Sequence, residues 1–200
     1  PEPLYNGSLF HVSTNGSNNN DGSIDNPFSS IQFAYDRADE QDTILVHPGV
    51  YYDDIWFYGK NVVLGSLYLT TGDTRFTRST IMAGDSTNCT IAIYGNIDST
   101  CRITGFTIQN GIGCVYGQGA GIYVESASPR LDNLIIKNNI SGTNGGGICL
   151  NGNSNSLIDK VVIKNNLANI GGGLYSFNSN PVITKSVIQN NHSNNGAGVF

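Results

Sequence analysis

The segment Ile158-Asp159-Lys160-Val161-Val162-Ile163-Lys164-Asn165 decides the fold, because the chain repeats it. The same frame runs from Ile103 to Asn110 and from Leu131 to Asn138, and, with Ser186 at its fourth place, from Ile183 to Asn190. A glycine signature alternates with it, as Gly119-Ala120-Gly121, Gly145-Gly146-Gly147, Gly171-Gly172-Gly173 and Gly196-Ala197-Gly198. The Asn marker advances by 28, 27 and 25 residues and the Gly marker by 26, 26 and 25, so two markers keep one period. A unit this short cannot bury its own apolar face and must stack on its neighbours, as in a solenoid. Runs such as Leu134-Ile135-Ile136-Lys137 are too short and too β-branched for helices, and the Gly triplets would break the helical part of a leucine-rich repeat. The unit is therefore built from strands.

Stacking equivalent positions at about 4.8 Å creates columns along the solenoid axis. Ile108, Ile136, Ile163 and Ile188 form the predicted core column. Asn110, Asn138, Asn165 and Asn190 form a predicted structural ladder at a corner, each amide bonding to those above and below. The first hundred residues are less regular. Thr43-Ile44-Leu45-Val46, Val62-Val63-Leu64, Thr80-Ile81-Met82 and Thr90-Ile91-Ala92-Ile93 read as strands closed by Gly49, Gly65, Gly84 and Gly95, with Leu67 to Ser79 a loop excursion. After Asn26-Pro27, the residues Ile31, Ala34, Tyr35 and Ala38 share one helical face, with Ser29 or Ser30 near the start. Such a helix would cover the open first coil. One domain over residues 1–200 follows, with a cap to about residue 40, irregular coils to about 100, and regular repeats beyond.

The composition narrows the function. Only 12% of residues are charged, the net charge is −5, and 38% are hydrophobic in short runs, which indicates a folded β-rich chain with no basic footprint for nucleic acid. No apolar stretch approaches the roughly 18 residues of a membrane span. The four cysteines lack a zinc-binding spacing; Cys89 and Cys101 can pair if adjacent coils stack them, and otherwise all four serve as small buried hydrophobes.

Two further patterns resemble a known family. Asn26-Pro27-Phe28, Ile31-Gln32-x-Ala34 and Asp42-Thr43-Ile44-x-Val46-x-Pro48-Gly49-x-Tyr51 are similar to the opening of pectate-lyase-like proteins, and the Gly and Ile-x-Asn repeats resemble those of secreted and surface-displayed β-helices. The resemblance implies an all-β, right-handed, single-stranded parallel β-helix with an N-terminal capping α-helix. It also implies an extracellular or cell-surface location and a polysaccharide or cell-surface glycan as partner.

Candidate sites follow from the outward positions. Tyr123, Cys149, Tyr175 and Phe200 form a column whose aromatics can hold sugar rings or a partner protein. Lys137 stacks near Lys164 and Lys160 near Lys185, with His192 close by. In an acid-polysaccharide lyase or hydrolase, which the resemblance implies as the alternative to binding, Lys164, Lys185 and His192 are the basic candidates and Lys137 and Lys160 bind the acid. Exposed lysines also simply protect a flat sheet from edge pairing. Asp132 and Asp159 occupy matching positions as single acids per coil. Asp21 and Asp25, in the Asn-rich loop from Asn15, are the candidate calcium ligands. Five sequons begin at Asn6, Asn15, Asn88, Asn139 and Asn191. The leading expectation is a carbohydrate-binding or adhesive β-helix with no catalysis in this segment; a passive stalk or fibre is the third reading. The sequence stops at Val199-Phe200 partway through a repeat, so the expectation is that further coils or another chain cover that end.

Overall fold

The structure, a computed structural model, describes residues 8–85 and 87–200. The chain opens with β1 (Leu9–Val12) and α1 (Ile31–Arg37), then winds through β2 (Thr43–Val46), β3 (Gly49–Tyr51) and β4 (Ile55–Tyr58). The second coil holds β5 (Val63–Ser66), α2 (Tyr68–Thr71), α3 (Arg75–Ser79), β6 (Thr80–Ala83) and β7 (Ile91–Tyr94). Next come β8 (Arg102–Thr104), β9 (Thr107–Gln109) and β10 (Ile122–Glu125), then β11 (Arg130–Asp132), β12 (Ile135–Lys137) and β13 (Ile148–Asn151). The last full coil is β14 (Leu157–Asp159), β15 (Val162–Lys164) and β16 (Leu174–Phe177), followed by β17 (Val182–Thr184) and β18 (Val187–Gln189).

Successive strands go to three different sheets. Sheet A orders β1-β2-β5-β8-β11-β14-β17, sheet B β3-β6-β9-β12-β15-β18, and sheet C β4-β7-β10-β13-β16. Neighbours pair in parallel, as a coil that always turns the same way requires. The predicted core column is present in sheet B, where Ile108, Ile136, Ile163 and Ile188 are in register behind Tyr51 and Met82. Ile108, Ile136 and Ile163 are fully buried. Each such side chain contributes about 1.5–3 kcal/mol relative to exposure. Ile103, Leu131, Ile158 and Ile183 align likewise in sheet A.

The corner asparagines divide their work. Asn110, Asn138, Asn165 and Asn190 are exposed and take left-handed φ angles between 55° and 65°, turning the chain out of sheet B. The hydrogen-bonded ladder lies one residue further on, at buried Asn139, Asn166 and Asn191. The Oδ1 of each accepts the main-chain N–H of the preceding coil, from Gly111, Asn139 and Asn166 in turn, at 3.0 Å. Their Nδ2 groups donate to the carbonyls of Ile108, Ile136 and Ile163 at 3.4, 3.1 and 3.0 Å. The glycine corner is sterically required: a Cβ on Gly147 would lie 2.5 Å from the Gly173 carbonyl oxygen and 2.6 Å from an Ile163 methyl.

Helix α1 covers the first coil. Ser30 caps it by accepting from Phe33 N at 3.1 Å, and Ile31, Ala34 and Tyr35 are buried. Gln32 joins it to β4 by accepting from Trp56 N at 2.7 Å, and Lys60 donates to the carbonyls of Tyr35 and Ala38 at its C-terminal end. Several local readings change. Residues 9–12 form a strand of sheet A instead of belonging wholly to the cap. Gly49 opens a strand, and Ile55–Tyr58 adds one that the period did not disclose. The excursion from Leu67 to Ser79 carries two short helices. The disulfide joins Cys89 to Cys114, with Cα atoms 4.7 Å apart, while Cys101 and Cys149 are buried thiols. Cys101 cannot pair with Cys89 because it faces the central core, whereas Cys89 belongs to a separate cluster outside it.

Candidate binding face on sheet C

Alternation along the strands of sheet C sends Ile55, Phe57, Ile91, Ile93, Ile122 and Val124 inward, where they are buried. The intervening residues make two outward columns. One runs Trp56, Ala92, Tyr123, Cys149, Tyr175, and is continued by Phe200 through the Leu174–Val199 bridge. The other runs Tyr58, Tyr94, Glu125, Asn151, Phe177. At the N-terminal end the rings of Trp56, Tyr58 and Tyr94 lie in nearly parallel planes, within 4–9° of one another, with centroids 5.2–6.4 Å apart. At the other end Tyr175 and Phe200 stack at 5.7 Å and 10°.

Tyr123 points outward yet is only 3% exposed, because it packs with Cys89, Ala92 and Cys149. Burial pushes its phenol up to about 12, so it stays a neutral donor, and its hydroxyl lies 3.1 Å from Glu125 Oε2. Burial likewise raises the Cys149 thiol to about 12 and keeps it protonated. Asn151 Nδ2 donates to Gln118 Oε1 at 2.9 Å and to the Tyr123 hydroxyl at 3.3 Å. Gln118 reaches this position on the loop tied down by Cys114: the disulfide anchors the loop, and Cys114 N donates to Gln118 O at 2.6 Å. Between the two aromatic ends lies a hollow of about 400 Å³ lined by Gln118, Glu125, Asn151, Tyr175, Phe177 and Asn178. Aromatic planes flanking a cluster of amide and carboxylate groups suit a ligand with apolar ring faces and hydroxyl edges.

The other candidates are dispersed. Lys137 and Lys164 are register partners on the outer side of sheet B. Lys160 and Lys185 take left-handed φ angles of 55° and 48° at the corner between sheets A and B. His192 is exposed in the turn after β18, bridged to Leu167. Lys164, Lys185 and His192 thus occupy separate positions around the coil. Asp132 and Asp159 are register partners, but the cations on Asp132 are Arg102 and Arg130. In the N-terminal loop, Asp21 accepts from Ser23 N at 2.9 Å and Asn18 Oδ1 from both Ser29 N and Ser30 N, while Asp25 is exposed. Among the described residues no three His, Cys, Asp or Glu side chains are grouped to hold a metal ion. The ladder buries Asn139 and Asn191, which closes both sequons to glycans in the folded chain; Asn15 is exposed, Asn88 donates to Asp54, and Asn6 lies outside the described residues.

The outward register that the sequence predicts for Tyr123, Tyr175 and Phe200 is present, and the sequence reading did not single out Trp56, Tyr58, Tyr94 and Phe177 on the same face. The alternation Trp56-Phe57-Tyr58 was the available signal for Trp56 and Tyr58. Among the described residues no helix is long and apolar enough to cross a membrane. Comparison with curated proteins and with solved structures gives no significant match. Residues 65–200 match the family model described as the right handed beta helix region, and with three parallel sheets wound around one core this chain belongs to the right-handed β-helix family.

Proposed function

We propose that this chain is a carbohydrate-binding or adhesive part of a secreted or cell-surface β-helix protein, that it binds a polysaccharide or surface glycan along the outer face of sheet C, and that it performs no catalysis in this segment. The observation that carries the reading is the aromatic row from Trp56 to Phe200, interrupted by the Gln118, Glu125 and Asn151 cluster. Rings at both ends stack against sugar faces while the central polar groups read hydroxyls. The Cys89–Cys114 disulfide supports an oxidising compartment.

Trp56 is the single tryptophan, so its fluorescence reports occupancy directly. Titration with neutral oligosaccharides selected on a glycan array is expected to change its emission saturably. Tyr58→Ala and Phe177→Ala should each weaken binding by about tenfold, corresponding to the loss of one stacking contact of about 1.5 kcal/mol. A blank array with unchanged Trp56 emission would defeat the reading.

A further inference from the structure

The charge on sheet C narrows the class of ligand, a step that rests on the glycan-binding reading of that face. None of the ten lysines and arginines lies in a strand of sheet C, and among the described residues Glu125 is the one acid in those strands. The cations stand elsewhere: Arg102 and Arg130 on sheet A, Lys137 and Lys164 on sheet B, Lys160 and Lys185 at the corner between those two. Lys60, two residues beyond β4, donates to the carbonyls of Tyr35 and Ala38. Glu125 is exposed at the end of β10, where its Oε2 accepts from the Tyr123 hydroxyl at 3.1 Å. That donor is neutral, so the bond leaves the carboxylate charge in place. Burial raises the Tyr94 phenol as well and keeps it uncharged. Among the described residues lining the hollow of about 400 Å³ there is no lysine, arginine or histidine to offset Glu125.

Position matters as much as sign. Glu125 is the register partner of Tyr94 on one side and of Asn151 on the other, and Asn151 is that of Phe177. At about 4.8 Å per coil, the carboxylate stands one coil from Tyr94 and two from Phe177. Aromatic faces carry the negative side of the ring quadrupole and attract cations, so rings and carboxylate act in the same direction. A carboxylated or sulfated sugar meets repulsion from these groups, and a neutral one gains only stacking and hydrogen bonds. We infer that sheet C selects a glycan of non-acetylated amino sugars, with one protonated amine at Glu125 and the neighbouring sugar rings on the aromatic row.

Calorimetry and Trp56 emission test this with three β-1,4-linked tetrasaccharides, of glucosamine, of N-acetylglucosamine and of glucose, at about pH 6, below the ordinary amine range. The glucosamine probe should bind ten or more times tighter than the other two. Glu125→Gln, an exposed change, should remove that preference and leave the two neutral probes within about twofold of their original affinity. Tyr58→Ala should weaken all three. Equal binding of the three probes, still weakened by Tyr58→Ala, would overturn the amine selection and leave the glycan-binding reading standing. A preference that survives Glu125→Gln would overturn it too, because the attraction would then come from another part of the chain. Three silent probes would also overturn it, whereas the broader reading falls only with a blank glycan array.

Discussion

Replacing Asn166 by Ala tests the ladder at its centre. The Asn166 side chain accepts from Asn139 N at 3.0 Å and Asn139 Nδ2 at 2.9 Å, and donates to Ile136 O at 3.1 Å and Asn191 Oδ1 at 3.0 Å. Alanine leaves the Asn139 N–H and the Ile136 carbonyl without these side-chain partners in a fully buried place. At about 1–3 kcal/mol for each orphaned buried group, together with the void, the loss is about 3–5 kcal/mol. For a chain of this size that lowers the melting temperature by roughly 6–20 °C. Asn165→Ala is the internal control. Its side chain is exposed and only its left-handed φ of 56° is at stake, which costs about 1–2 kcal/mol. Urea unfolding of both variants, followed by far-UV circular dichroism, measures the difference. If Asn165→Ala costs as much as Asn166→Ala, or Asn166→Ala costs under 1 kcal/mol, the assignment of the ladder to the second asparagine is refuted.

Two other outcomes follow from named contacts. Burial alone would raise the Asp132 carboxyl, but the hydrogen bonds and charge of Arg102 outweigh it and hold it below the usual carboxylate range. Its folded value being depressed, its stabilisation is present above about pH 4 and is lost as pH falls through the folded value. Asp132→Asn should therefore cost about 3–5 kcal/mol at pH 7 and flatten the acid limb of the urea-midpoint profile; an unchanged acid limb would contradict this. Reduction of Cys89–Cys114, which spans 25 residues, should cost about 3.5 kcal/mol in the chain-entropy estimate. It should also weaken the glycan binding proposed for sheet C by releasing the loop that carries Gln118, and calorimetry with and without reductant reads both effects.

Much of the coil was legible in the sequence because repetition reports register directly. Ile108, Ile136, Ile163 and Ile188 stack as their spacing demands, and so do Tyr123, Cys149, Tyr175 and Phe200. Periodicity could not say which member of Asn138-Asn139, Asn165-Asn166 or Asn190-Asn191 turns inward, since both positions share the period. Backbone conformation decides it: the first residue takes the left-handed turn and thereby points the second into the corner. The earlier coils lack the glycine signature, so β3 and β4 carried no repeat by which to find them, and with β4 went Trp56 and Tyr58. The Arg102–Asp132–Arg130 cluster was hidden for a different reason. Its members are joined across the stacking direction, at a separation of 30 residues for Arg102 and Asp132, where no local motif marks them.

The ladder also has a direction. The buried N–H of Gly111 is satisfied by a side chain 28 residues later, that of Asn139 by one 27 later, and that of Asn166 by one 25 later. No coil completes this corner by itself; the coil that follows it in sequence does so. During synthesis each newly made turn therefore keeps one open donor until its successor emerges, and the growing edge is always the unfinished one.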